Sequence, residues 1–235
     1  NMWIDESDAE TATYGIYLYM RDALKSVHDI YLCWGEFRNG LWGAGTNKTL
    51  SGVDQTQVRT STMSSSNAYA DWSVMYKTVN QANLILKHVP EMGISESVRN
   101  FSLGNAYFSR AWCYFWIARI WGDAPLALTG YESTAGDLYL PRAPKAEIFA
   151  RIESDLTEAE RYVTDNSDKA VATPAAVQML KADYALWMYR VAGGGSSYLT
   201  MAEEAIETLN LSASRLESDY AQVFSSANKL NKEVI

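Results

Sequence analysis

Apolar residues along the chain recur mostly at steps of three and four, and long helices follow from that period. Ser7-Asp8-Ala9-Glu10 has the spacing of a capping box, in which Ser7 and Glu10 satisfy free N–H groups reciprocally. A helix is predicted from about Asp8 to Trp34, with Gly35 just past its end. Trp72 opens the next helix, whose stripe is Met75, Val79, Ala82, Leu86 and Val89 and which Pro90 ends. A third runs from about Ser95 with two apolar faces. One carries Leu103, Tyr107, Ala111, Tyr114, Ala118 and Trp121, the other Phe101, Phe108, Trp112 and Phe115. A helix apolar on two faces lies between neighbours, so most of these rings are expected in the core. Gly122 and Pro125 stop it.

Further on, Pro144 suits the first turn of a helix striped by Ile148, Ile152, Leu156, Ala159 and Val163. Thr173 and Pro174 form an N-cap and a first-turn proline for a helix carrying Val177, Leu180, Tyr184, Trp187 and Val191. Gly193 to Gly195 end it. A short helix follows with Tyr198, Ala202, Ala205, Ile206 and Leu209 inward, and a last one spans roughly Ser218 to Phe224. No stretch alternates convincingly as a strand. The predicted class is all-α, built of stacked antiparallel helix pairs in one domain over 1–235. The stretch "LKADYALWMYRVAGGGSSYLTMAEEAIETLNL" resembles a tetratricopeptide unit. Small residues at Ala182, Ala202 and Ala205 let its two helices approach, and Tyr184 and Tyr198 fill the groove beside them. The ~34-residue period is not kept elsewhere, so the units are degenerate and bury their faces by stacking.

Gly35 to Asp71 shows no clear helical period and is rich in Gly, Ser, Thr and Asn. Long loops in compact proteins are often functional. Trp42 stands there among glycines, with Arg38, Asn39 and Asn47 near it. Such a tryptophan either plugs the loop against the core or offers a flat platform to a ligand ring. Glu36, Asp54 and Asp71 lie in or beside the same loop. Two carboxylates are the equipment of a glycosidase, although loop acids are ordinarily just solvated.

Composition narrows the classes. The 235 residues carry a formal charge of −8 and no basic stripe, which argues against a nucleic-acid backbone as partner. No window of ~18 apolar residues spans a membrane. The chain opens at Asn1 without a signal-peptide pattern, as a mature fragment or a cytosolic protein would. Cys33 and Cys113 fall inside helical patterns and are expected as buried free thiols. His28 and His88 sit beside neither a cysteine nor a paired carboxylate in sequence, so no metal or cofactor is implied. Gly43-Ala44-Gly45 lacks the lysine of a phosphate loop. Arg110 and Asp123 are expected near the Trp121–Leu126 corner, as an ion pair or as caps on carbonyls.

The ordered set of motifs resembles the N-terminal half of the SusD/RagB family of Bacteroidetes outer-membrane lipoproteins. Carrying it are "YGIY" (Tyr14 to Tyr17), "GEFR" (Gly35 to Arg38) and the spacing Trp72, Tyr76, Asn80, Asn83. Gly104, Ala106, Arg110, Ala111, Tyr114 and Phe115 follow, then "WGDAPL" from Trp121, "PRAPKAEIF" from Pro141, "TPAAVQMLKA" from Thr173 and "FSSANKLNKEVI" from Phe224. The family's chains are about twice this length; its lipid-bearing N-terminal cysteine has no counterpart here, and Ala143 replaces the usual Ser or Thr cap. The resemblance implies a non-enzymatic nutrient-binding protein on the outer face of the outer membrane, lipid-anchored in its full length. It also implies a SusC-type TonB-dependent transporter as partner and oligosaccharides or peptides as ligand. In that setting Trp42 becomes a sugar platform, with Arg38, Asn39 and Asn47 bonding hydroxyls. The rivals are a helical-repeat scaffold that binds protein and an α-helical glycosidase.

Overall fold

The computed structural model describes residues 3–39, 52–135, 138–210, 216–229, 231 and 233; for residues 26–29 and 38 it describes the backbone alone. Its helices are α1 (Glu6–Trp34), α2 (Val53–Thr60), α3 (Ser73–His88), α4 (Glu96–Trp121), α5 (Lys145–Tyr162), α6 (Pro174–Arg190), α7 (Ser196–Thr208) and α8 (Tyr220–Val223). The described residues hold just two strands, β1 (Ala124–Pro125) and β2 (Arg142–Ala143), each of two residues. The expected all-α class is what the chain adopts.

Long α4 sits at the centre because it is apolar nearly all round. Leu103, Ala106, Ala111, Cys113, Tyr114, Phe115, Ile117 and Ala118 on it are buried. It packs against α3 and α1 on one side and α5 on the other, and α6 pairs with α7 beyond. Ile148, Ile152 and Tyr184 meet its Phe115 and Ile117 in the largest core cluster. Ile16, Ile85 and Leu103 form a second between α1, α3 and α4. Each such fully buried side chain contributes roughly 1.5–3 kcal/mol of apolar burial. Ala111 is fully buried among rings, as expected, and both cysteines are buried and stand outside any disulfide.

Several local expectations need correction. The capping box at α1 is Asp5 with Asp8, not Ser7 with Glu10: Asp5 accepts from the Asp8 amide at 3.1 Å and Asp8 accepts from the Asp5 amide at 3.3 Å. The Gly35–Asp71 stretch contains a 3-10 turn at Glu36–Arg38, helix α2 and a second 3-10 turn at Ala68–Ala70. Helix α2 has two apolar residues, buried Val58 and exposed Val53, so its period is nearly silent. Ile206 and Val191 are solvent-exposed rather than inward, Val191 lying just past the last turn of α6. Trp112 and Trp121 are partly buried. The last helix is a single turn.

The tetratricopeptide-like pair is confirmed in its details. Ala182, Ala202 and Ala205 are buried where α6 meets α7. The rings of Tyr184 and Tyr198 meet edge-on at 6.3 Å. Both phenols donate to one carboxylate oxygen of Glu153 on α5, each at 2.7 Å. Gly193, at φ +75°, takes the left-handed turn between the helices that an L side chain resists.

Candidate functional site

Helices α1, α3 and α4 bring a run of rings to one end of the molecule. Trp112 lies 5.8 Å from Trp116, and Trp116 lies 5.8 Å from Trp34 at the end of α1. Trp34 meets Trp121 edge-on at 5.3 Å, and Trp121 meets Trp72 at 6.2 Å. Tyr76 and Tyr114 continue the series. Two indole N–H groups are used to seat the chain before α3: Trp34 donates to the Tyr69 carbonyl at 2.9 Å and Trp121 to that of Ala70 at 3.2 Å. Gln55 on α2 donates to the Tyr69 phenol at 2.9 Å, whose ionisation burial pushes well above the usual tyrosine range.

A cleft of about 480 Å³ opens beside these rings. Its walls include Trp34, Trp116, Trp121, Arg119 and the hydroxyl-bearing Ser64 and Ser65. The Arg119 guanidinium carbon lies 4.0 Å over the Phe115 ring and 4.8 Å from the Trp116 ring. Its nearest carboxylate is Asp183 on α6, 3.5 Å away and mostly exposed. Burial shifts the Arg119 ionisation down, with Asp183 opposing.

A second cleft of about 460 Å³ lies on the far side of Trp72, against Tyr76, Tyr131 and Tyr139. Its polar groups are committed to the corner that follows α4. Tyr76 donates to the Pro125 carbonyl at 2.6 Å and Tyr114 to that of Ala127 at 2.7 Å. Asn83 donates to the carbonyls of Ala127 and Thr129, at 2.9 and 3.3 Å. Asn80 bonds both backbone groups of Tyr131. Arg110 and Asp123 do not pair with each other. Arg110 turns inward to Asp155, while Asp123 crosses the β1–β2 ladder and accepts from the Lys145 amide at 2.8 Å. The N-cap of α5 is Pro144 rather than Ala143, and α5 begins at Lys145, so Asp123 supplies from a distance the cap that the proline cannot.

The residues singled out in the sequence are placed unevenly. Gly35, which precedes them in the sequence, lines the first cleft. Arg38 closes the 3-10 turn there. Asn39 is exposed and donates to Glu36 at 2.8 Å. Trp42 and Asn47 lie outside the described residues. The loop acids hold local structure: Glu36 binds Asn39, Asp54 accepts from the Ala68 amide, and Asp71 accepts from the Ser73 amide and hydroxyl. Among the described residues no three His, Cys, Asp or Glu side chains gather as a metal site, and no helix is long and apolar enough to cross a membrane. Trp34, Trp116 and Arg119 were missed in the sequence. Trp116 and Arg119 fall on neither apolar stripe of α4, and that displacement was the available signal.

Comparison with known proteins agrees with this architecture. A family model described as SusD-like, starch-binding and associating with the outer membrane matches residues 44–192. SusD-like protein P38 of Formosa agariphila is 28% identical over 162 residues, covering 69% of this chain and 31% of that protein. The structure of Bacteroides fragilis NanU superposes with a TM-score of 0.79 at 30% identity, over 99% of this chain and 47% of that one. A laminarin-binding SusD-like protein shares the fold, with a TM-score of 0.78 at 18% identity over 98% of this chain and 50% of that one. The chain therefore spans about half the length of its solved relatives and aligns with about a third of its curated ones. With the family model matched over most of its length and this helical stack in place, the chain belongs to the SusD-like family.

Proposed function

We propose that this chain is the ligand-recognising part of a non-catalytic nutrient-binding protein. It would hold oligosaccharides at the outer face of the outer membrane and pass them to a SusC-type TonB-dependent transporter. One observation carries the reading: in a chain of this family, three tryptophans line one cleft together with Gly35, which precedes Arg38 and Trp42 in the sequence. Pyranose faces present C–H groups that stack on aromatic rings, and hydroxyl and amide groups bond their rims. One tryptophan supplies about 2–3 kcal/mol by area. Association costs more than that, so a row of rings suits a long glycan, held by repeated contacts through effective concentration. Arg38, Asn39, Trp42 and Asn47 are proposed as the loop side of that site.

The family model's description and the laminarin-binding relative support a glycan over a protein ligand. The loop acids' use as local hydrogen-bond acceptors favours binding over cleavage. The test is a glycan array run beside a reducing-sugar release assay on the purified protein. Binding without release is expected. Release of reducing ends would convert the reading to a glycosidase, and neither binding nor release would leave a protein-binding scaffold.

A further inference from the structure

We infer that the cleft beside Trp116 selects acidic saccharides, with Arg119 holding the carboxylate or sulfate ester of a sugar whose ring lies on the tryptophans. This rests on the glycan reading above and names the ligand's charge class.

Among the described lining residues Arg119 is the single charged side chain; the others are apolar, hydroxyl-bearing or backbone. Its guanidinium carbon lies over Phe115 and Trp116, at 4.0 and 4.8 Å from the ring centroids. Such contact fixes a guanidinium before a ligand arrives, which lowers the ordering cost of binding. Only Nη1 reaches Asp183, at 3.5 Å, the outer limit of a hydrogen bond. Nε and Nη2 have no partner among the described residues. Two adjacent N–H donors match the two oxygens of a carboxylate or sulfate, in the fork geometry that makes such pairs strong. Asp183 is mostly exposed and so well solvated, and it neutralises Arg119 only weakly. Low-dielectric tryptophan walls strengthen what remains.

A neutral sugar's hydroxyls are satisfied as well by amides and serines, so an acidic sugar is the ligand that makes use of the charge on Arg119. The chain's net charge of −8 does not forbid the assignment. At physiological salt the Debye length is about 8 Å, so the cation in contact outweighs remote acids.

The experiment is affinity electrophoresis of the purified protein through gels holding a panel of carboxylated and sulfated polysaccharides of several backbones. Each is paired with its carboxyl-reduced or desulfated form. Retention should be confined to acidic members, lost on carboxyl reduction or on desulfation according to which anion is recognised, and weakened as salt rises. Arg119→Met, which keeps the stem, should weaken retention at least tenfold, and Arg119→Lys should recover part of it. If Arg119→Met fails to fold, salt dependence and the ligand pairs still decide the matter on the parent protein. Equal retention by acidic and neutral members overturns the inference and leaves the glycan reading standing. Retention of no polysaccharide overturns both, as does capture of acidic peptides alone.

Discussion

Arg110 donates to both carboxylate oxygens of Asp155, from Nε at 2.8 Å and from Nη2 at 2.7 Å, in the interface of α4 and α5. Both side chains are almost wholly buried. The third donor, Nη1, reaches the Asn83 amide oxygen on α3 at 2.7 Å. One guanidinium therefore ties three helices together, and through Asn83 it reaches the corner loop. A buried pair of this kind adds little over apolar packing, yet losing one member leaves an uncompensated charge.

Arg110→Met and Asp155→Leu are each expected to destabilise the protein by about 3–5 kcal/mol. That is a large share of the ~5–15 kcal/mol available to a domain. The double variant should be clearly more stable than the sum of the two losses predicts, because no wholly buried charge is then stranded; Arg151, 3.7 Å from Asp155, is about a third exposed and stays hydrated. Urea titrations of the four proteins test this. Additive losses would mean that the pair acts as two independent residues.

Gly104→Ala sets helix propensity against packing. Alanine is favoured over glycine inside a helix by about 1 kcal/mol. Here its Cβ would lie 2.7 Å from Val163 Cγ2, 3.0 Å from the Val163 nitrogen and 3.1 Å from the Tyr162 carbonyl carbon. Two of those atoms are backbone and cannot swing aside. Overpacking of this kind costs about 1–3 kcal/mol. A net loss of roughly 1–2 kcal/mol is expected, read as a lower denaturation midpoint at unchanged slope. A raised midpoint would place α4 farther from the end of α5 than described.

Much of this was legible in the sequence, and the misses have physical causes. The long stripes located α3 and α5 through α7, and the double stripe located α4 between its neighbours. Both candidate boxes at the start of α1 obey the same spacing, and sequence alone does not choose between Ser7 and Asp5. Helix α2 buries one residue, Val58, and so leaves no period to read. The Arg110–Asp155 pair spans 45 positions, but a hint existed: Asp155 occupies the inward face of α5 between Ile152 and Ala159. A carboxylate there needs a buried cation, and Arg110, among the rings of α4, is the one cation on that helix's buried face. The cleft was the least legible part. Its walls come from α1, α2 and α4 and from the turn before α3, and no local pattern encodes their meeting.

Acidification should loosen the attachment of the 130s segment to α3. The hydrogen bond from Lys87 holds the Glu132 carboxyl below the ordinary glutamate range, against a smaller opposing effect of desolvation and with help from His88. The folded state then binds fewer protons than the unfolded one. The contact's stabilisation is complete above the ordinary glutamate value of about 4.3 and is lost as pH falls through the lower folded value. Glu132→Gln should therefore melt below the parent at neutral pH, with the difference shrinking in acid. A difference independent of pH would assign the effect to packing.

Trp42→Ala tests the loop side of the proposed glycan site. The melting temperature should be nearly unchanged, while affinity for a glycan found on the array falls by about 1–3 kcal/mol, or roughly tenfold to over a hundredfold. Trp116→Ala, which removes a cleft wall that also packs against Trp34 and Trp112, should lower both binding and the melting temperature. Calorimetric titration and a thermal melt on each variant separate the two roles. An early melt for Trp42→Ala would show that Trp42 plugs the core, and undiminished binding would remove it from the glycan site.

The corner after α4 has one more property. The carbonyls seized by Tyr76, Tyr114, Asn83 and Asn80 belong to residues 125, 127, 129 and 131, every second residue in turn. Alternate groups on one side are the mark of an extended chain, whose faces repeat with a period of two, and here the pattern carries through a bend at Thr129. The corner consequently has parity. One residue inserted after Pro125 would turn each later carbonyl away from its donor, whereas two would restore the facing and change only the reach. Length variation between related chains should fall in even steps before Tyr131, and in steps of any size beyond it.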